Sequence, residues 1–481
     1  MLGGAIVLSA LDQPIASIAA QVRTGQLSSV RLVSEALNRI RVHNGSLNCF
    51  TRILESEALS DAARVDRQIA SGINPGVLSG VPFACKDLFD VKGLSTTAGA
   101  KNRITSAPAT SDAEVVRRLK NEGAILVGTL NMDEYAYGFA TMNAHFGATR
   151  NPHDTRRLAG GSSGGSASAV SAGLVPFSIG SDTNGSVRVP AGLCGIFGIR
   201  PAENAIPMQG VFPFVKSLDT VGPFARSIED LLIVYGVLAN PSNERASSSV
   251  SGTTSDEASI RDAGSPSRIA RLGGWFEQNV TNEVLEAVQS LMTYLGCDAV
   301  VNLPEAEAAR SASYVITAAQ GGALHLDMLQ KDAMSYDPAV RDRLIAGTMV
   351  PFGLYNQAVQ FREYFRKQVE KQFESFDLLI APCTPCVAPL VDAPNVWIDG
   401  KSVPARANLG ILTQPLSIVG MPILSVPWMR PLSSDLTTEK GLPIGIQVAT
   451  WPGRENLLFA FAKRLESGGL IGSRYPIQHI S

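Results

Sequence analysis

The sequence predicts an α/β fold, and three observations carry that prediction. Helical stretches alternate with short apolar runs along the whole chain, the pattern of helices packed on a sheet. The apolar runs are short and bounded by Gly, Pro or polar residues, so they read as buried strands. Hydrophobic residues make up 45% of the 481 positions, enough for a sizeable core, and no internal repeat is visible.

Taken in order, residues 12–44 place Val22, Leu27, Val30, Val33, Leu37 and Ile40 at roughly helical spacing and predict a helix. Glu55–Ile69 predicts a second. Gly80–Asp87 is a short apolar run that ends in Lys86, an unexpected residue there, because a buried ammonium is costly unless paired or neutral. Ser111–Asn121 predicts a helix capped by Ser111 and Asp112, with Glu114 completing a capping box. Ala124–Val127 reads as a buried strand and Asn131–Gly138 as a polar, aromatic loop. Gly160–Ser166 is a dense Gly/Ser loop. It runs into a small-residue helix over Ala167–Gly173, an apolar run at Val175–Ile179 and a tight turn at Ser181–Ser186. Gly192–Ile199 predicts a Gly-interrupted strand and Ser227–Leu238 a helix.

Residues 242–267 are rich in Ser, Thr and Gly with almost no large apolar side chain, so they predict a flexible surface insertion. Beyond them, Val284–Leu295, Glu305–Leu329 and Asp337–Phe376 predict helices, the last broken near Pro351. Leu378–Ala381, Pro422–Val426 and Ile444–Val448 predict strands, and Glu455–Leu465 a closing helix. The pattern on either side of the insertion reads as one fold. The expectation is a single domain over 1–481, with an N-terminal helical part (1–75), a core (76–230) and a remainder (268–481).

Composition narrows the function. A net charge of −2 gives no electrostatic case for nucleic acid or a membrane surface. No apolar run reaches the length of a membrane span. The start, MLGGAIVLSALD, has no basic region and reads as a chain start, not a signal peptide. Six cysteines in so long a chain do not form a disulfide framework, which fits a cytoplasmic protein. Cys383 and Cys386 have C-x-x-C spacing but no second pair to complete a zinc site, so they read as a structural loop and no metal or cofactor is expected. The Gly160–Ser166 loop lacks the lysine of a phosphate-binding loop. Spacing alone leaves a Ser-His-Asp triad open. Two serines, Ser162 and Ser186, sit in glycine-rich backbone as candidate nucleophiles. Lys86, at the end of a buried strand, can lose its charge by desolvation and act as a base.

Three stretches, GVPFACKDLFDVKGLSTTAGA, GGSSGGSA and GSDTNGSVRVPAGLCGIFGIRP, together resemble the amidase-signature family in order and spacing, with Ser162 and Ser186 24 residues apart. NMDEYAYG, TRNPHD, SLDTVGPFARS, LLIAPCTP, QPLSIVGMPILSVP and GLPIGIQV extend the resemblance over most of the chain. It implies the amidase-signature fold, a large mixed β-sheet covered by helices on both faces. It also implies a Ser-cisSer-Lys triad: Ser186 as nucleophile, Ser162 as bridge after a cis Gly161–Ser162 peptide, and Lys86 as base. The chemistry is coherent, because a hydroxyl donates once and accepts twice and can relay a proton between a second hydroxyl and a neutral amine. The backbone N–H groups of Thr183, Asn184, Gly185 and Ser186 would form the oxyanion hole, with the ion pair of Asp182 and Arg188 behind it. Many members carry Gly-Gly-Ser where this chain has Asn184-Gly185-Ser186. Asn tolerates positive φ, so the turn is expected to be kept and the hole reshaped.

The Asn of SDTNGS, with NMDEYAYGF, LGGWF and VITAAQGGALHLDML, resembles the 1-carboxybiuret hydrolases of that family, which pair with a small subunit and act on small carboxylated urea-like amides. In amidotransferase members, an arginine aligned with Arg343 acts on a substrate carboxylate, and Tyr137 is placed as the opposite wall. The expected activity is an amidohydrolase that cleaves a C–N bond of a small amide through an acyl-enzyme. The alternatives are the glutaminase subunit of a tRNA-dependent amidotransferase and a general aryl or alkyl amidase. Intact Lys86, Ser162 and Ser186 argue against a non-catalytic binding protein. The expected partners are a small-molecule amide and either a second copy or a small accessory subunit.

Overall fold

A computed structural model describes residues 9–239, 268–398, 400–429 and 441–473. The predicted insertion at 242–267 and the first eight residues lie outside them. Eleven strands form one mixed sheet. In chain order they are β1 (Phe50–Ile53), β2 (Pro82–Lys86), β3 (Ile125–Leu130), β4 (Phe177–Asp182), β5 (Phe197–Arg200), β6 (Thr220–Ala225), β7 (Ile269–Leu272), β8 (Val300–Val301), β9 (Leu378–Pro382), β10 (Ile423–Pro427) and β11 (Gly445–Ala449). Their order across the sheet is β1-β3-β2-β4-β6-β5-β10-β11-β9-β7-β8. β2 runs parallel to both β3 and β4, whereas β6 is antiparallel to β4 and β5.

Both faces of the inner strands are buried, which is why those strands read as near-continuous apolar runs. Side chains alternate between faces along each strand. Phe83 and Cys85 enter one core cluster, while Ala84 enters the other. The Ala84 face is covered by α2 (Ser29–Leu47), α3 (Glu55–Ala70) and α5 (Gly164–Ser171). The opposite face takes α1 (Ile15–Arg23), α4 (Glu114–Asn121), α7 (Ile228–Leu238) and α8 (Asn282–Leu295). A long helix, α9 (Ala306–Asp332), packs against α10 (Pro338–Thr348) and α11 (Phe352–Ser375). α6 (Arg188–Cys194) follows β4, and α12 (Glu455–Ser467) closes the chain.

Three local expectations need correction. The stretch 12–44 is two helices, because Gly25 adopts φ 73° after α1 and the Ser28 hydroxyl caps α2 by accepting from Arg31 N–H at 3.3 Å. The capping box at Ser111 does not form. Ala113 stands at the N-cap, Asp112 accepts from the Lys92 N–H at 2.8 Å, and Glu114 pairs with Arg117 and Arg118. Gly192–Ile199 is not one strand. Its first residues finish α6, Gly195 terminates that helix at φ 66°, and only Phe197–Arg200 joins the sheet.

Candidate active site

The C-terminal end of β2 delivers Lys86 to the face covered by α5, since Lys86 lies two residues beyond Ala84. Its side chain is fully buried. Lys86 Nζ donates to Ser162 Oγ at 2.7 Å and to Ser181 Oγ at 2.9 Å. Burial pulls the amine down to about 7, against the opposing pull of the Asp133, Asp219 and Asp182 carboxylates. A neutral amine keeps one lone pair. With Ser181 holding one N–H, that lone pair is left for the Ser162 hydroxyl.

Ser162 is presented by the Gly/Ser loop at the N-terminus of α5. The Gly161–Ser162 peptide is cis, as the resemblance implied. The Ser162 carbonyl accepts from Asp133 N–H at 3.2 Å and from Thr141 Oγ at 3.3 Å. The backbones approach so closely here that a Cβ on Gly161 would stand 2.6 Å from the Ala140 nitrogen and against the Asp133 carboxylate. The loop 131–141, of which only Asn131–Gly138 is predicted and only as polar and aromatic, is thus the clamp on Ser162. Asp133 also accepts from the N–H groups of Ala140 (3.1 Å) and Thr141 (2.9 Å).

Ser186 sits in the turn between β4 and α6. Its carbonyl accepts from Ser163 N–H at 3.3 Å, which ties the two serine loops together. Asp182, at the end of β4, supports the turn from below, accepting from Gly185 N–H at 2.7 Å and Val187 N–H at 3.2 Å. Asp182 is itself flanked by Arg188 (3.1 Å) and Arg200 (3.2 Å), all three fully buried. Burial opposes the Asp182 charge, but the two guanidiniums prevail and hold its carboxyl well below the usual range. The predicted Asp182–Arg188 pair is therefore one side of a triad that includes Arg200.

Of the four backbone donors placed in the oxyanion hole, Gly185 is already committed to Asp182. Thr183, Asn184 and Ser186 line one small cavity. The tolerance of Asn184 for positive φ is not used in this turn. Among the described residues of the turn the positive φ belongs to Gly185, at 136°, where a Cβ would collide with Thr413. Asn184 instead spends its side chain on α9.

Tyr137 and Arg343 both line the same cavity. The Arg343 guanidinium stacks on the Tyr137 ring at 3.6 Å from its centroid and donates to the Tyr137 carbonyl at 3.1 Å. They form one wall, not two opposite ones, with Tyr314 6.0 Å from the same guanidinium. Among the described residues no carboxylate pairs with Arg343. Asp337, the N-cap of α10, accepts from Arg406 at 3.0 Å and donates its own N–H to Glu134 at 2.8 Å, which joins the Arg343 helix to the loop of Tyr137. Nothing in the sequence pattern singles out Ser181, Arg200, Ser313, Thr317 or Arg406. Strand register and helix docking bring them in. Cys383 and Cys386 are free thiols, and Cys383 Sγ donates to the Arg188 carbonyl at 3.2 Å.

Comparison with known proteins identifies the family. The Amidase family model matches residues 31–459. AtzE of Pseudomonas sp. (strain ADP), described as a 1-carboxybiuret hydrolase subunit, is 41% identical over 93% of this chain and 97% of its own length. One glutamyl-tRNA(Gln) amidotransferase subunit of Symbiobacterium thermophilum is 33% identical over 91% of this chain and 93% of its own. A solved structure described as a vestigial protein complex bearing on the origins of an s-triazine catabolic enzyme is 40% identical. It has a TM-score of 0.89 and covers 96% of this chain and 100% of that one. A crystal structure of an amidase follows at 29% identity and a TM-score of 0.83, covering 95% of this chain and 100% of that one. With a family model spanning most of the chain and a relative aligned nearly end to end, this protein belongs to the amidase family and is an amidohydrolase.

Proposed function

We propose that the protein hydrolyses a C–N bond of a small, carboxylated, urea-type amide through a Ser186 acyl-enzyme, with Ser162 and Lys86 as the proton relay. The observation that carries this reading is the fully buried Lys86 amine 2.7 Å from Ser162 Oγ, a setting in which desolvation disfavours its charge. Ser186 Oγ attacks the carbonyl carbon while its proton passes to Ser162, whose own proton passes to Lys86. The oxyanion accepts from N–H groups of Thr183, Asn184 and Ser186. Collapse breaks the C–N bond, and the proton held on Lys86 returns through Ser162 to the leaving nitrogen. Water then attacks the ester by the same relay and frees Ser186 and the acid.

Two features support the substrate class. The cavity beside Ser186 is small and walled by the aromatic rings of Tyr137, Phe139, Phe214 and Tyr314, which suits a small, flat molecule. Arg343, lacking a carboxylate of its own among the described residues, offers a fork for a substrate carboxylate. The likeness to AtzE points to the same class. On the likeness to a protein described as one subunit of an enzyme, and to a structure described as a complex, we also propose that the chain works as a homodimer or with a small accessory subunit. Its mass in solution, alone and with candidate partners, tests this. Six free cysteines accord with a cytoplasmic setting. Among the described residues no helix is long and apolar enough to cross a membrane.

The test of the substrate class is kcat/KM for a carboxylated urea-type amide and a neutral amide of matched size, in the native enzyme and in Arg343→Ala. A charge-assisted bond is worth about 1.5–3 kcal/mol, so the carboxylated substrate should lose roughly 10–100-fold more than the neutral one. Equal losses would make Arg343 structural. A native preference for neutral aryl or alkyl amides would favour a general amidase.

A further inference from the structure

The turn that carries Ser186 is held at every residue, and one of those ties belongs to a side chain outside the relay. Thr183 Oγ donates to Asp219 at 2.6 Å. Gly185 N–H is held by Asp182, and the Asn184 carbonyl accepts from Thr413 Oγ at 2.6 Å. The Asn184 side chain turns the other way, into α9. Its Oδ1 accepts from Ser313 Oγ at 2.7 Å, and its Nδ2 donates to Thr317 Oγ at 2.9 Å. All three residues are buried. Ser313 and Thr317 are one helical turn apart, so both hydroxyls lie on one face of α9, where a single amide can bridge them. The neighbouring residue Tyr314 joins Thr317 in lining the cavity.

We propose that Asn184 is a positioning residue. Its amide latches the oxyanion turn to α9 through Ser313 and Thr317, and thereby fixes where the N–H groups of Asn184 and Ser186 point. This rests on the reading of Ser186 as nucleophile. The physical case is one of satisfaction and alignment. A buried primary amide without partners is costly, so the pair of hydroxyls selects one orientation of the side chain and with it one orientation of the backbone. The turn's N–H groups act on charge that develops only in the transition state. Loosening them should therefore lower kcat and leave KM nearly alone.

The test uses the full-length enzyme with Ser313→Ala and Thr317→Val, each of which removes one latch oxygen without touching the turn. Active sites are counted by stoichiometric labelling with a fluorophosphonate, so that misfolded protein is not mistaken for slow protein. The expected result is a fall of about tenfold or more in kcat per labelled site for each variant, the scale set by small misplacements of catalytic groups, with KM moving far less. Thr317→Ser should recover most of the Thr317→Val loss. Adding Ser313→Ala to Asn184→Ala should cost little beyond Asn184→Ala alone, because the bond is already gone. Native kcat per site in both Ser313→Ala and Thr317→Val overturns the latch, as does a loss seen only in KM or only in the labelled fraction. Turnover by Ser186→Ala would overturn the nucleophile reading instead, so the two failures are told apart.

Discussion

The pH dependence of turnover follows from the role proposed for Lys86. As the base it must be neutral to take the proton from Ser162, and burial lowers its titration to about 7. Above that value the base is free. Below it, the neutral fraction falls tenfold per pH unit, to about 10% at pH 6 and about 1% at pH 5. The profile of kcat/KM reports the free enzyme, so it should bend near neutrality and descend on the acid side with unit slope. The position of the bend is set by a balance. Desolvation depresses it, and the carboxylates of Asp133, Asp219 and Asp182 raise it. Asp219→Asn removes one of those charges and keeps the side chain's shape, so the bend should move to lower pH. Initial rates of ammonia or amine release between pH 5 and 9, in the native enzyme and in Asp219→Asn, measure both. A native profile flat down to pH 5 would refute the claim that Lys86 is the base. An Asp219→Asn bend displaced upward would refute the electrostatic account.

Two further perturbations test other parts of the structure. A lysine whose folded value (about 7) lies below its unfolded value (about 10.4) costs stability, fully so below pH 7, and the cost fades as pH rises toward 10. Lys86→Met should therefore raise the Tm difference from the native protein more at pH 6.5 than at pH 10, and thermal unfolding at the two pH values checks the sign. Asp182→Ala strands Arg188 and Arg200 in a fully buried site. It should cost about 3–5 kcal/mol by denaturant unfolding, and a loss under ~1 kcal/mol would mean the triad is not what holds the turn.

Much of the site is legible in the amino-acid sequence alone. Lys86 stands out because an ammonium at the end of an apolar run needs an explanation, and Ser162 and Ser186 because glycine-dense backbone surrounds both. The helices with clean periodicity, such as Ser227–Leu238 and the pair broken at Pro351, lie within a residue or two of the observed α7, α10 and α11. The failures have separate causes. At 12–44 the apolar spacing runs through Gly25 and Ser28, a stop and a cap that are visible but outweighed by periodicity. At Ser111 a local capping motif loses to the Lys92 backbone N–H, supplied by an earlier loop, and to Lys120 of α4 itself, which together claim Asp112. The backbone tolerance of Asn184 is a local property, whereas its side chain is engaged by a helix more than a hundred residues away. Ser181, Arg200 and Arg406 are out of reach for the same reason. Each matters through a neighbour that only strand register or helix docking supplies.

The central claim is that Ser186 forms the acyl-enzyme, and its mass tests this most directly. Native protein mixed with a slow, activated amide or ester substrate and quenched in acid should carry one acyl group per chain, located by proteolysis and mass spectrometry on the peptide containing Ser186. Ser186→Ala should carry none and show no turnover, and Ser162→Ala should acylate far more slowly at the same serine. An adduct on any other residue, or near-native turnover by Ser186→Ala, would contradict the account.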